Sequence, residues 1–223
     1  LFLPNTGQVL PLLVVVVLAG LVSSLVALGV GALTLRLRGI YFAIFTFGLV
    51  VLILELGNWW EHSVTGTRGR FVMLVENDVI FYIMLAIFVL LMLTTYFIRR
   101  SKFGLAMRSI GENEEAAAHI GINVTMVKVV TFAISAFFMG AAGAVWATKL
   151  IYVDPYVAFN PLFSFMPVLM AIFGGMGQIY GPVIGAALFA YLQEMLQTEF
   201  SELYMLLFGI VFSGCYLIPA QWS

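Results

Sequence analysis

Several runs in this chain approach the roughly 20 consecutive apolar residues that a helix needs to cross a bilayer. Inside lipid no water reaches the backbone, so each run must pair its own amide and carbonyl groups within a helix. Composition agrees with that reading. Of the 223 residues, 63% are hydrophobic and 9% charged, against about 25% charged in soluble domains. The expected fold is all-α, a polytopic bundle of transmembrane helices with the membrane as its first partner. A net charge of −1 gives no electrostatic reason to bind nucleic acid. Cys215 sits in an apolar run and is the single cysteine, so it has no partner for an intrachain disulfide or a zinc site. No basic segment followed by a cleavage site marks a signal peptide.

Read along the chain, the first span covers about residues 9–35 and the second about 40–56. The short Arg36-Leu37-Arg38-Gly39 connection makes them antiparallel neighbours. A polar segment over 57–78 opens on Trp59-Trp60, a pair suited to the headgroup belt. The third span is about 79–98 and the fourth about 129–148, closed by Lys149, which can snorkel. Residues 164–197 are too long for one span, and each apolar half is short for one. The glycine run from Gly174 to Pro182 divides them, so a Gly-rich broken helical hairpin is expected, either two short tilted spans or a re-entrant element. A last span is expected at about 203–218.

The polar island between the third and fourth spans, residues 99–128, holds Arg99, Arg100, Lys102, Arg108 and Lys128, five of the chain's 10 basic residues. Basic loops of this length stay in the cytoplasm, and counting back places Arg36 and Arg38 on the same side. The loops 57–78 and 151–163 then fall outside, although Arg68 and Arg70 in the first run mildly against the rule. Within the basic loop, Asn113 is a good N-cap, with Glu114 and Glu115 in the first turn where the helix dipole favours negative charge. Ala116, Ala117 and Ala118 build the helix over 114–120, and Gly121 suits the position just past its end. A preceding amphipathic piece, 103–110, is expected to be broken from it by Gly111. Residue types alone leave this segment either a solvated connection or a compact helix that a partner's groove could admit.

Other signals keep two readings. Ala136, Gly140 and Ala144, with Gly143 and Ala147 beside them, form a small-residue stripe that lets two membrane helices approach closely, inside the subunit or between subunits. Gly174, Gly175, Gly177 and Gly181 permit unusual backbone and Pro182 suits a helix start. That is a tight turn, or an interrupted helix lining a pathway. Glu55 and Glu194 lie near span ends, where interfacial water reaches them. His62 and His119 are loop histidines too far apart to suggest a ligand set. Neither a nucleophile–base constellation nor paired carboxylates, a metal cluster or a G-x-x-x-x-G-K-[ST] phosphate loop is present. No catalytic, cofactor or metal residue is therefore assigned.

Glu115-Ala116-Ala117-x-x-x-Gly121 resembles the EAA-x-x-x-G loop by which permeases of ATP-binding-cassette importers dock on their ATPase. Other stretches are similar to the branched-chain amino acid permease family in particular. They are Leu35-Arg36-Leu37-Arg38-Gly39-Ile40-Tyr41-Phe42-Ala43, Thr65-Gly66-Thr67-x-Gly69, Gly121-Ile122-Asn123-Val124 with the following Lys128, and Ile134-Ser135-Ala136-Phe137-Phe138-x-Gly140-x-Ala142-Gly143-Ala144. The run Gly174-Gly175-Met176-Gly177 with Gly181-Pro182-Val183-x-Gly185-Ala186 is the strongest of them. The chain departs from the family in lacking the spans that normally precede the first one here, and in ending on Pro219-Ala220-Gln221-Trp222-Ser223. The proline-ended tail of the EAA loop in other importers is also absent after Gly121.

The resemblance implies a single transmembrane permease domain over 1–223, truncated at its N-terminus, in a bacterial or archaeal inner membrane. Its implied partners are a second homologous permease, two cytoplasmic ATPases and a periplasmic or extracellular solute-binding protein. It implies that Asn113, Glu114, Glu115, Ala116, Ala117 and Gly121 form the ATPase-coupling element, and that branched-chain amino acids are the cargo, with urea and short amides as the near alternative. The rival from a different class is a self-sufficient ion-coupled transporter using Glu55 or Glu194.

Overall fold

The computed structural model describes residues 6–35, 37, 40–65, 70–71, 76–150, 152–159, 161–175 and 178–199. Helices dominate: α1 (Thr6–Thr34), α2 (Ile40–Trp60), α3 (Asn77–Arg100), α4 (Lys102–Glu112), α5 (Glu114–His119), α6 (Val124–Ala147), α7 (Pro155–Ala158), α8 (Pro161–Gly174) and α9 (Gly181–Glu199). Among the described residues four stretches are long and apolar enough to cross a membrane, Leu12–Thr34, Ile44–Ser63, Asn77–Arg100 and Val124–Ala147. The all-α membrane fold expected from the apolar runs is what the chain adopts. The expected span at 203–218, Cys215 and Gly177 lie outside the described residues.

The chain forms two compact units, Leu1–Asn160 and Pro161–Ser223. In the first, α1 and α6 make the most extensive helix pair, antiparallel, with α3 against α6 and α2 only lightly attached to α1. Leu12 and Val16 of α1, Val79 and Ile83 of α3, and Ala141 and Val145 of α6 form a buried cluster, flanked by Ile80, Met84, Ile87 and Ala144. Large side chains remain exposed along the same helices, among them Leu25, Leu33, Ile44, Phe47, Phe81 and Leu90, as suits surfaces that meet lipid or other helices rather than water. Hydroxyls in these apolar helices bond to their own backbone. Thr34, Thr46, Thr94, Thr95 and Thr131 donate to the carbonyl four residues back at 2.7–2.9 Å, so none of these five hydroxyls is left bare in an apolar setting.

Two ends of this unit can be told apart. At one, α2 runs past its expected end through Trp60 into a wider π-helical turn, Glu61–Thr65. A two-residue strand β1 (Arg70–Phe71) pairs antiparallel with β2 (Tyr152–Val153), Arg70 opposite Val153 and Phe71 opposite Tyr152. Asp154 Oδ1 accepts from the Val157 amide at 2.7 Å and caps α7, with Pro155 in its first turn. Among the described residues of this unit, the stretches Arg70–Phe71 and 152–159 thus share one end with the close of α2.

The basic end differs from its expected form in two ways. Residues 99–128 carry the two expected short helices, joined by short corners. Ser101 Oγ caps α4 by accepting from the Gly104 amide at 3.3 Å. Gly111 does not break the chain; it lies inside α4, and the corner falls at Asn113, whose backbone is extended (φ −155, ψ 111). One glycine costs a helix only about 1 kcal/mol, about what a capped start contributes. The fourth span also begins earlier than residue 129, at Val124, because Asn123 Oδ1 caps α6 by accepting from the Met126 amide at 3.1 Å. Lys128 is therefore a helical residue.

In the second unit α8 and α9 fold back on one another. Phe173 and Phe189 meet with ring centroids 5.2 Å apart, and Leu169 and Phe189 are buried. With 14 residues, α8 is roughly 21 Å long, short of the ~30 Å hydrocarbon layer. The Gly-rich break between them was expected. Gly174 ends α8, Gly175 takes φ +93, and α9 opens at Gly181 with Pro182 next.

Candidate functional site: the basic end of the bundle

The expected N-cap is in place: Asn113 Oδ1 accepts from the Ala116 amide at 3.0 Å. The far end closes as a Schellman motif, in which Ile122 N–H donates to Ala117 O at 3.1 Å and Gly121 N–H to Ala118 O at 3.0 Å. That closure needs a left-handed residue just past the helix, and Gly121 supplies it at φ +88. Six residues are far too few to hold a helix in isolation, so these two caps define α5. Replacing Asn113 with Ala is expected to cost about 1 kcal/mol locally, read as roughly fivefold faster amide hydrogen exchange over 116–118 with α6 unchanged.

The side chains of α5 divide by face. Ala117 is 1% exposed, in a helix whose contacts are with α4 and α6. Glu115, Ala116, Ala118 and His119 are exposed, as is Gly121, giving a small-residue surface with one carboxylate at its leading end. Glu114 points back instead, and its Oε2 lies 2.7 Å from Lys128 Nζ on α6.

This pair sits at the edge of an open cavity of about 600 Å³. Leu35 and Leu37 from the turn between α1 and α2 and Phe42 of α2 line it, together with Met107, Ile110, Val127, Thr131 and Phe132. The α1–α2 turn and the α4–α6 segment therefore occupy one end, which also carries the basic residues. At that end Arg100 lies 4.7 Å over the Tyr96 ring, a cation–π arrangement that suits an interfacial arginine.

The remaining candidate residues lie elsewhere. On α6, a Cβ at Gly140 would run into the Ser23 side chain and come within 2.9 Å of Ala19 O on α1, while Gly143 faces open space. Ala136 and Ala144 are half-buried, Ala144 beside the buried cluster. On the hairpin, Gly174, Gly181 and Gly185 sit where α8 and α9 backbones touch. Glu55 on α2 and Glu194 on α9 are exposed, as is His62. Among the described residues no group of three His, Cys, Asp or Glu side chains could hold a metal ion. No sign of the ion pair is legible in the sequence, because hydropathy places Lys128 in the loop before the fourth span, whereas it lies inside α6.

The family described as branched-chain amino acid transport system / permease component matches residues 1–214. The chain belongs to this permease family. Among curated relatives, the Salmonella typhimurium high-affinity branched-chain amino acid transport system permease protein LivM is 30% identical over 224 residues, 86% of this chain and 52% of LivM. Escherichia coli LivH is 29% identical over 52% of this chain and 38% of its own length. The Haemophilus influenzae ribose import permease protein RbsC is 30% identical over 45% of this chain and 32% of its own. The permease spans about half the length of the LivM relatives it matches. No solved structure matches it significantly. With its four long apolar helices, it is a multi-pass membrane protein.

Proposed function

We propose that this permease is the membrane-spanning subunit of an ATP-driven importer for branched-chain amino acids, and that α5 is where a cytoplasmic ATPase takes hold. The observation that carries the reading is α5 itself. It is a six-residue helix capped at both ends, exposing alanines and Glu115 at the basic end of a membrane bundle. Small side chains let such a helix enter a groove that bulkier ones would keep it out of. Basic residues at that end favour the cytoplasm.

In this reading the basic end faces an ATPase pair, the opposite end faces a solute-binding protein, and a second permease completes the pathway. Closure of the ATPases on ATP displaces α5, and α6 moves with it, switching the pathway between outward- and inward-open states. ATP drives the switch only through its different affinity for the two states. LivM and LivH carry branched-chain amino acids in their names, and LivM matches far more of the chain than the sugar permease does. That supports an aliphatic amino acid as cargo. The chain sits in the inner membrane of a bacterial-type cell.

Gly121→Pro and Glu115→Lys test the docking role. Proline holds φ near −65° and has no N–H, so it can neither take the φ of +88 nor make the bond to Ala118 O. Glu115→Lys puts a cation at a helix N-terminus on the exposed face. Both variants are expected to reach the membrane at wild-type levels while ATPase co-purification is lost. Wild-type co-purification by both would overturn the assignment.

A further inference from the structure

We infer that Glu114 and Lys128 form a positioning pair that fixes the angle between α5 and α6, so that displacement of α5 is passed to the membrane helix instead of being absorbed at the corner between them. The inference rests on α5 being the ATPase-docking element and adds to it the residues that make docking mechanically effective.

The geometry is that of a two-point attachment. The chain joins α5 to α6 through 120–123, at the C-terminal end of α5 only. A corner of that length containing a glycine at φ +88 can act as a pivot. Glu114 is the first residue of α5, at the end away from the pivot, roughly 9 Å along the axis for six residues. Its bond to Lys128, 2.7 Å long and spanning 14 positions, ties that distal end to α6 and closes a ring around the corner. Force on α5 then has a direct route into the helix that packs along α1 and α3.

The pair is placed to persist. Its side chains are 30% and 33% exposed, so bulk water screens them less than a fully exposed surface pair. Lys128 rises from a capped helix and Glu114 adjoins a capping residue, so both stems are held. Beside the pair lies the open cavity in front of Leu35, Leu37 and Phe42. This leaves room for the α4–α5 corner to shift toward the α1–α2 turn without first expelling packed side chains.

The test is a charge-swap cycle in the complete transporter, with ATPase subunits and binding protein, reconstituted in liposomes. Three quantities are read: co-purified ATPase, ATP hydrolysis, and amino acid taken up per ATP. Glu114→Lys and Lys128→Glu each set like charges together, and each is expected to lower uptake per ATP about fivefold to tenfold. The double variant restores an opposite-charge pair and should recover about half of that loss or more, the remainder reflecting a lysine at a helix N-terminus. Lys128→Arg keeps the charge and should hold the wild-type ratio. A pair that merely stabilised the fold would lower the amount of assembled complex but not uptake per ATP. Single variants with an unchanged ratio, or a double variant no better than the worse single, would overturn the inference. Failure of the wild-type chain to bind an ATPase or to use ATP would overturn the docking proposal itself, a separate result.

Discussion

Gly140→Leu is expected to separate α1 from α6 and with them the first unit of the permease. In lipid there is little hydrophobic gain from pairing two helices, so close van der Waals approach must supply the attraction. At Gly140, α6 comes very close to α1. Any Cβ there meets the Ser23 side chain and approaches Ala19 O to 2.9 Å, and leucine adds three further carbons to the same space. Forcing methylene groups into a packed contact costs about 1–3 kcal/mol and occasionally more, which predicts a fall in melting temperature of roughly 10 °C in detergent. The nature of the obstacle gives a sharper check. The two nearest atoms belong to Ser23 and only the third, Ala19 O, is backbone, so Gly140→Ala should cost less than Gly140→Leu, and Ser23→Gly should recover much of the alanine's cost. Gly29→Ala, on α1 with nothing within 4 Å of the added carbon, is the control and should be near neutral. Thermal unfolding of the purified chain followed by size-exclusion profile reads all four variants. An unchanged profile for Gly140→Leu would show that α1 and α6 are not held together by this contact.

The stripe containing Gly140 was legible because four-residue spacing of small side chains is a local pattern. Its partner was not, since nothing local to Ser23 distinguishes it from Ser24 beside it. The same division runs through the fold. Apolar runs mark α1, α2, α3 and α6 because the bilayer sets their length, and Asn113 and Gly121 mark the two ends of α5 because capping depends on residues adjacent in sequence. The α6 start was placed too late because the helix continues beyond the membrane, where hydropathy carries no signal and only the Asn123 cap does. Pairing of β1 with β2 links two residues to two others across the two membrane helices α3 and α6, and no periodicity announces so short a ladder. The Glu114–Lys128 pair was hidden for a compound reason: its existence depends on the angle of a corner whose own geometry follows from one positive φ.

Gly185→Ala should be more damaging than Gly140→Ala, although the two changes are chemically identical. At Gly185 of α9 the added carbon would collide with the Met170 carbonyl oxygen of α8 and approach the Gly174 amide nitrogen to 2.9 Å. Both obstacles are backbone, fixed by the hydrogen bonding of α8, and no rotamer change can clear them. Gly174 and Gly181 meet similar backbone obstacles at the closed end of the hairpin, so α9 cannot relieve the clash by tilting about that end. The helices must part along their length, and the Phe173–Phe189 contact at 5.2 Å parts with them. A loss of about 3 kcal/mol or more follows for alanine, and leucine should prevent the hairpin from closing. The readout is limited proteolysis in detergent, with cleavage between α8 and α9 appearing in Gly185→Ala and rising in Gly185→Leu. If Gly185→Ala resists proteolysis as the parent does, the two helices are not in backbone contact, and the glycine run would have to be explained by the conformational demand at Gly175 alone.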